Sequence, residues 1–301
     1  MGTIDFILNL ACLLLWLNWR SLRIDPLGKR QPATLIGTLR RAEARHAGRW
    51  RLLVAIGGVL LLRAVFYWQI GSATNWSGQL DLGVAALSFP SNAPGVMMSL
   101  LRMFWFSCLS FGVMLGILYL WLLLLSLLSG PEPIQSLVRV QLGVVDAWPR
   151  KLKLPLPLAA SVPLWWLASW LLVWLHVIPP PSSAARRVEM ALLIGLGSYL
   201  VWKFLIGALL TLYLLNSYIY FGKHPFWNYV NATGRTLLLP LKKIPLRLGR
   251  VDFAPVVGIA LVFLCAYCIQ NGIKLFPSAA GQGKPWIDIP GLVDVYGWLS
   301  F

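Results

Sequence analysis

The sequence predicts an all-α polytopic membrane protein with about six transmembrane helices arranged in three quasi-repeated units. Three observations support this prediction. Of the 301 residues, 58% are hydrophobic, above the roughly 45–50% of a soluble domain. Apolar runs of about 20 residues, the length that a bilayer core requires, recur along the chain. Basic residues are concentrated in the segments between those runs.

Each apolar run is predicted to be a helix, because a single helix satisfies its own backbone hydrogen bonds inside a bilayer. The third and fifth runs are longer than one crossing needs, so we expect them to tilt or to extend beyond the bilayer. The predicted spans are about 4–19, 52–70, 97–128, 156–177, a segment within 188–221, and 253–275.

The charged residues predict the orientation of the spans. Most of the 26 Lys and Arg residues fall in the segments that follow spans one, three and five, whereas the segment after span two, at about 71–96, has none. Cytoplasmic loops carry an excess of Lys and Arg, so we expect the three basic loops to be cytoplasmic and both termini to lie outside. The net charge of +16 is therefore assigned to contact with anionic lipid headgroups, and nucleic-acid binding is not expected.

The second and third basic loops are similar in sequence. Gly130–Val138 aligns with Gly222–Val230, and the basic cluster that ends at Lys151 aligns with the one that ends at Lys243. The first basic loop is a weaker copy, so each unit has a span, an amphipathic segment, a basic cluster and a second span. The predicted divisions are repeat unit 1 at 1–75, an extracytoplasmic loop at 76–96, repeat unit 2 at 97–180, repeat unit 3 at 181–275 and an extracytoplasmic tail at 276–301.

Apolar residues recur at helical spacing in the second and third loops. A basic amphipathic helix of this kind suits either the inner headgroup plane or packing on protein, and the spacing leaves both open. The predicted apolar faces are Ile134, Leu137, Val138, Val144, Val145 and Trp148 in one loop, and Phe226, Tyr229, Val230, Leu237, Leu238 and Leu241 in the other.

The basic clusters at the ends of these segments are the candidates for lipid or partner binding. Each base near an anionic surface contributes about 1 kcal/mol. The candidate residues are Arg150, Lys151, Lys242, Lys243 and Arg250.

Four further residues are predicted to shape the turn that leads into span six. Asp252 is a suitable N-cap, and Pro255 is tolerated in a first helical turn, where its missing N–H would be unpaired anyway. Pro240 and Pro245 precede them in the turn.

The third unit resembles the YggT family, also called YlmG, of small bacterial and plastid membrane proteins. The resemblance covers about residues 205–275 and is carried by Pro225, the run Leu239–Pro245, Gly249 and the run Asp252–Pro255. The chain differs from the family in having lysines at the basic cluster and in having three units where a usual member has two. It is therefore similar to an enlarged, divergent member. The resemblance implies the cell inner (plasma) membrane and a non-enzymatic scaffold or assembly role, in osmotic or envelope stress.

A small-solute or ion channel or transporter is the alternative function. Lys203 and Arg63 lie inside apolar runs, where an ionisable residue suggests function. Because no carboxylate lies in mid-span to pair with them, we expect Lys203 to extend toward the outer interface instead. The expected partners are anionic lipid headgroups together with another membrane protein or a second copy of the chain.

A weaker alternative is a membrane thiol-redox protein. Cys265 and Cys268 share one helix face in span six, yet no basic residue flanks them to lower a thiol pKa. The chain contains no His–carboxylate pair and no metal-ligand spacing, so no catalytic residue, metal or cofactor is expected.

Overall fold

The computed structural model describes residues 2–21, 35–74, 76–91, 95–128, 134–219, 224–243, 247–248, 251–275 and 287–300. Within these ranges six helices are long and apolar enough to cross a membrane. They are Gly2–Arg20, Trp50–Thr74, Val96–Leu127, Arg150–Trp174, Ala184–Tyr218 and Ala254–Asn271. The predicted all-α polytopic fold with six candidate spans is therefore confirmed.

The chain forms two compact units. The first consists of Met1–Leu80 and Leu87–Gly116, and the second of Asp81–Ala86 and Ile117–Phe301. The division falls within the third span.

The first unit is built on helices α1 (Gly2–Ser21) and α2 (Leu35–Thr74), which pack against each other. Helix α2 is much longer than the predicted second span, because the arginine-rich segment before the span continues the same helix. The unit also contains the first part of α3 (Val96–Leu127). A core of apolar side chains links these helices, namely Cys12, Ile56, Leu60 and Phe111.

The loop predicted at 76–96 contains a β-hairpin. Strand β1 (Ser77–Asp81) pairs with β2 (Ala86–Pro90), and buried residues alternate with less buried ones along both strands. The ring of Phe89 lies 5.4 Å from that of Phe106. This alternation is the period-2 pattern of a strand with one face against a core.

Besides Asp81–Ala86, the second unit contains the remainder of α3, followed by a succession of short elements. These are α4 (Ile134–Leu142), a 3₁₀ turn at Gly143–Ala147, α5 (Arg150–Lys153) and α6 (Leu156–Trp174). The next span comprises α7 (Ala184–Ser198), a 3₁₀ segment at Tyr199–Val201 and α8 (Trp202–Tyr218). A second succession follows, with α9 (Pro225–Leu237), a 3₁₀ turn at Leu239–Lys243 and α10 (Ala254–Asn271). Both successions run span, short helix, basic turn, span.

The over-long fifth span is interrupted by its 3₁₀ segment. Two tryptophans bond to backbone carbonyls there: the Trp121 indole donates to the Val201 carbonyl at 3.3 Å, and the Trp202 indole donates to the Leu120 carbonyl at 3.0 Å. These reciprocal bonds hold α3 against the start of α8.

The C-terminal segment, predicted as a tail, contains regular structure in its described part. Strand β5 (Ile273–Leu275) pairs antiparallel with β6 (Ile287–Ile289). Earlier in the chain, the two-residue strands β3 (Arg247–Leu248) and β4 (Val251–Asp252) form a separate antiparallel pair. Helix α11 (Leu292–Ser300) then packs against α7 and α10.

The turn into the sixth span differs from the prediction at its capping residue. Helix α10 is preceded by Phe253 at the N-cap, and Asp252 lies instead in β4 opposite Arg247. The expectation that Asp252 caps the span was therefore wrong, because the strand pair continues up to the helix start. Pro255 lies in the first turn as expected and is buried.

Candidate functional site

The connection between α3 and α6 has the most distinctive side-chain arrangement among the predicted basic loops. Helix α4 ends at Leu142, and the next residue, Gly143, has φ +60°, a left-handed conformation that glycine adopts without steric cost. Pro149 and Pro155 then occupy the positions immediately before α5 and α6. Each proline precedes a new helix, and α5 is a single turn at the start of span four.

This connection exposes both apolar and basic side chains. Val144 is 78% exposed, and Arg150 and Lys151, six and seven residues further along the chain, are exposed as well. We call the large exposed residues of this connection the 144–154 surface, which consists of Val144, Trp148, Arg150, Lys151, Leu152 and Leu154. Two of the five predicted binding residues, Arg150 and Lys151, therefore lie on one surface with large apolar neighbours.

A third base of this connection, Lys153, follows two residues after Lys151 and is only 4% exposed. Its ammonium donates to Ser126 Oγ at 2.6 Å and to Asp146 Oδ1 at 3.2 Å. The Ser126 hydroxyl donates in turn to Asp146 Oδ1 at 2.6 Å, and Arg139 lies 3.6 Å from the same carboxylate. We call Ser126, Asp146 and Lys153 the Lys153 cluster, and it fastens the connection to the end of α3.

Asp146 is ionised in this cluster. Burial alone would raise its pKa, but hydrogen bonds from Ser126 and Lys153, and the charges of Lys153 and Arg139, hold the pKa of Asp146 below its ordinary value. The cluster is therefore an ion pair with added hydrogen bonds at neutral pH, which is the arrangement that makes a buried charge tolerable.

The predicted apolar face of this loop is divided in the structure. Val138 and Leu142 are buried, as one face of α4, whereas Val144 and Trp148 are exposed. The prediction of one continuous face was wrong, because Gly143 ends α4 and turns the following residues to another side.

The corresponding helix of the third unit, α9, packs its apolar face on protein. Tyr229, Val230 and Thr233 are buried, and α9 contacts α8. A Cβ on Gly234 would lie 2.7 Å from the Tyr213 ring, so this close approach requires glycine. For this face the structure favours protein packing, the second of the two alternatives that the spacing left open.

The other predicted binding and turn residues lie at the edge of the described chain. Lys242 and Lys243 lie in the 3₁₀ turn after α9, where Pro240 is exposed, but the description covers only their backbone. Arg250 and Pro245 lie outside the described residues.

A second polar cluster lies in the first unit around Arg63, which is 2% exposed. Its Nη2 donates to Asp5 Oδ1 at 2.9 Å and to Ser110 Oγ at 3.0 Å, and its Nη1 donates to Asn9 Oδ1 at 2.7 Å. The Tyr67 hydroxyl donates to the same Asp5 oxygen. We call Asp5, Asn9, Arg63, Tyr67 and Ser110 the Arg63 network.

The expectation that Arg63 has no carboxylate partner was therefore wrong. Asp5 lies in the first turn of α1, and side-chain packing brings it to Arg63 of α2. The guanidinium also lies over the rings of Tyr67 and Phe106, at 5.2 and 5.6 Å from their centroids. Such a network stabilises helix–helix contact, and it can also mark an ion pathway.

Lys203, another base inside a candidate span, bonds to a neutral side chain. Its ammonium donates to Gln270 Oε1 at 3.4 Å, and the Gln270 amide donates to the Gly83 carbonyl at 2.7 Å. The sequence did not predict this bond between Lys203 of α8 and Gln270 of α10.

The two thiols of α10 are free. Cys265 is exposed and Cys268 is partly buried. Among the described residues, no group of three or more His, Cys, Asp or Glu side chains could hold a metal ion.

The sequence contained two signals for the missed partners. Asp5 is the only acid of the first apolar run, and Arg63 is the only base of the second after Arg51, so a pairing of one with the other could have been predicted. Likewise, Asp146 is the only acid between Glu132 and Glu189 and therefore the only carboxylate near the second basic cluster.

Comparisons with family models, with curated proteins and with solved structures found no match to this chain.

Proposed function

We propose that this protein is a non-enzymatic membrane scaffold or assembly factor of the YggT type, acting through the 144–154 surface. The observation that carries the proposal is the different burial of the three bases Arg150, Lys151 and Lys153. Lys153 is buried in an ion pair, whereas Arg150 and Lys151 are exposed among large apolar side chains. A surface with exposed bases and exposed Trp and Leu at the end of a span suits anionic headgroups and a docked membrane partner.

The proposed location is the cell inner membrane, with the 144–154 surface on the cytoplasmic side and both termini outside. The concentration of Lys and Arg in alternate connections supports this orientation. The basic turn at Leu239–Lys243 would then lie on the same side, and a role in osmotic or envelope stress follows from the YggT resemblance.

Photo-crosslinking in native membranes tests the scaffold role. A photoreactive residue replaces Leu152, which is exposed between the bases and Leu154, in the full-length tagged protein. We expect one membrane protein to be captured in stoichiometric amount and to be identified by mass spectrometry. Capture should fall at least tenfold in the Arg150→Glu/Lys151→Glu variant, while membrane insertion is unchanged.

The matched control is Arg150→Lys/Lys151→Arg, which keeps both charges and should keep the capture. Reversal of Lys242 and Lys243 is expected to weaken partner or lipid binding as well. Equal capture by the wild type and the charge-reversed variant would contradict the scaffold proposal.

A channel or transporter is the second candidate, and the Arg63 network is the observation that favours it. Buried intramembrane ion pairs line ion pathways in transporters, and the 3₁₀ break in the fifth span resembles the interrupted helices of such proteins. Reconstituted liposomes test it: solute or ion flux that is lost in Arg63→Met, with the protein still folded, would favour transport over the scaffold role.

A further inference from the structure

A cavity of about 210 Å³ lies where α6, α7 and α11 meet, beside the chain that joins α6 to α7. This volume is smaller than the roughly 300–1,000 Å³ of pockets that hold drug-sized molecules, so it suits a headgroup or a small acid. The polar and charged side chains in its wall are Trp165, Ser169, Ser182, Arg186, Arg187 and Tyr296.

One wall residue has an unsatisfied polar atom. Trp165 is 5% exposed, and its indole Nε1 has no hydrogen-bond partner among the described residues. A buried donor without an acceptor costs about 1–3 kcal/mol. The indole N–H can only donate, so a ligand that satisfies it must provide an acceptor atom. The neighbouring Ser169 hydroxyl donates to the Trp166 carbonyl at 3.0 Å and does not accept a hydrogen bond from the indole.

The two arginines of the cavity lie in the first turn and a half of α7. A cation is disfavoured there, because the helix dipole places partial positive charge at the same end. Arg186 is compensated by the C-terminal end of α11, where it donates to the carbonyls of Leu299 at 2.7 Å and Trp298 at 2.9 Å.

Arg187 is not compensated in this way. Its guanidinium lies 5.6 Å from the centroid of the Trp166 ring, and within the described part of the chain no carboxylate pairs with it. Tyr296 adds no negative charge at neutral pH, since burial raises the pKa of its hydroxyl. The described residues that line the cavity therefore include a positive charge and an unpaired donor, and none of them is an anion.

We propose that this cavity binds the oxyanion of an amphiphilic acid, a phosphate or carboxylate head attached to an apolar chain. Arg187 supplies the countercharge, and the Trp165 indole donates a hydrogen bond to an anion oxygen. The apolar part of the wall, which includes Ile178, Met190 and Leu299, receives the first methylenes of the chain. The ligand is either a lipid headgroup from the bilayer or a free acid from solution.

Nitrogen-15 NMR of the indole N–H groups tests the site in the full-length protein, held in an uncharged detergent. The Trp165→Phe variant identifies the Trp165 signal among those of the 16 tryptophans by its loss. Octyl phosphate is the probe, inorganic phosphate the soluble comparison, and octyl glucoside the neutral one. We expect octyl phosphate to shift the Trp165 signal saturably and octyl glucoside to leave it unchanged.

Calorimetric affinities complete the test. Arg187→Gln and Trp165→Phe should each weaken octyl phosphate binding about tenfold, the loss of one hydrogen bond to a charged group. Arg235→Gln and Trp170→Phe are the matched controls, since Arg235 and Trp170 are exposed and do not line the cavity, and they should bind as the wild type does. Arg187→Gln, which leaves the core intact, keeps the test valid if Trp165→Phe does not fold.

The probes also separate the two sources of the ligand. Binding of octyl phosphate without inorganic phosphate would support a lipid headgroup, and equal binding of both would support a free anion. Equal affinity for octyl glucoside, or variants that bind as tightly as their controls, would overturn the proposal.

Discussion

The Arg63 network and the Lys153 cluster each bury a basic side chain against one carboxylate, but their surroundings differ. In the Arg63 network every member belongs to an apolar helix of the first unit, and Asn9 and Ser110 accept further hydrogen bonds from the two Nη atoms of the guanidinium. In the Lys153 cluster the carboxylate lies in a short connection, and the two residues nearest to Lys153 on its N-terminal side, Lys151 and Leu152, are exposed.

This difference shows that a buried ion pair can serve two purposes in one chain. The Arg63 network joins α1, α2 and α3. The Lys153 cluster holds a connection in place so that other bases face outward. The first is expected to matter for stability, and the second for both stability and binding, because it positions the 144–154 surface.

The largest expected effect is the removal of the acid from the Arg63 network. Asp5→Ala leaves the guanidinium buried without its countercharge, and we expect a loss of about 3–5 kcal/mol in the free energy of unfolding. Unfolding in mixed micelles with increasing denaturing detergent measures it. The double variant Asp5→Leu/Arg63→Met, which removes both charges, should recover most of the loss; a double variant as unstable as Asp5→Ala would show that the ion pair is not the cause.

A smaller loss is expected in the Lys153 cluster. Lys153→Met leaves Asp146 with Ser126 and the more distant Arg139, so we expect about 1–3 kcal/mol of destabilisation. Lys151→Met is the control, because that exposed base should change stability by no more than about 0.5 kcal/mol. Equal effects of the two substitutions in the same unfolding assay would refute the distinction between the buried and exposed bases.

Acid should weaken the Lys153 cluster in a defined direction. The pKa of Asp146 is lower in the folded protein than its ordinary value of about 3.9, so its ionised form stabilises the fold. That contribution is complete above about pH 5 and is lost as the pH falls through the lowered pKa. Between pH 6 and pH 3 the wild type should therefore lose more stability than Asp146→Asn. Parallel pH profiles of the two proteins would argue against an ionised Asp146.

The smallest expected effect on stability is that of the exposed bases. Arg150→Gln/Lys151→Gln should change the free energy of unfolding by no more than about 0.5 kcal/mol, since exposed charges contribute little. Thermal unfolding in detergent measures the change. A loss comparable with that of Lys153→Met would mean that these exposed bases contribute to stability as much as the buried one.

The six spans could be predicted from the sequence because apolar runs of bilayer length are a long and redundant signal. The signal also located the over-long fifth span, although the 3₁₀ segment at Tyr199–Val201 depends on its packing with α3 and was not predictable from hydropathy. Short elements were less predictable: the hairpin at β1 and β2 and the division of the second amphipathic segment at Gly143 both depend on local turns.

The polar clusters were missed because their members are far apart along the chain. Asp5 and Arg63 are 58 positions apart, and Ser126 and Lys153 are 27 apart, so their pairing depends on how the helices pack. The exposed bases Arg150 and Lys151, in contrast, could be named from the sequence, because charge density in a short connection is a local property. Sequence reasoning therefore located the proposed binding surface but not the buried cluster that holds it.

The central claim is that the exposed bases of the 144–154 surface bind while the buried base holds them in position. Native mass spectrometry of protein from phosphatidylglycerol-containing nanodiscs tests it by counting the anionic lipids retained, with thermal stability recorded in parallel. We predict that Arg150→Glu/Lys151→Glu retains fewer anionic lipids than the wild type at an unchanged unfolding temperature. An unchanged number of retained lipids, or a loss of lipid that accompanies a lower unfolding temperature, would contradict the claim.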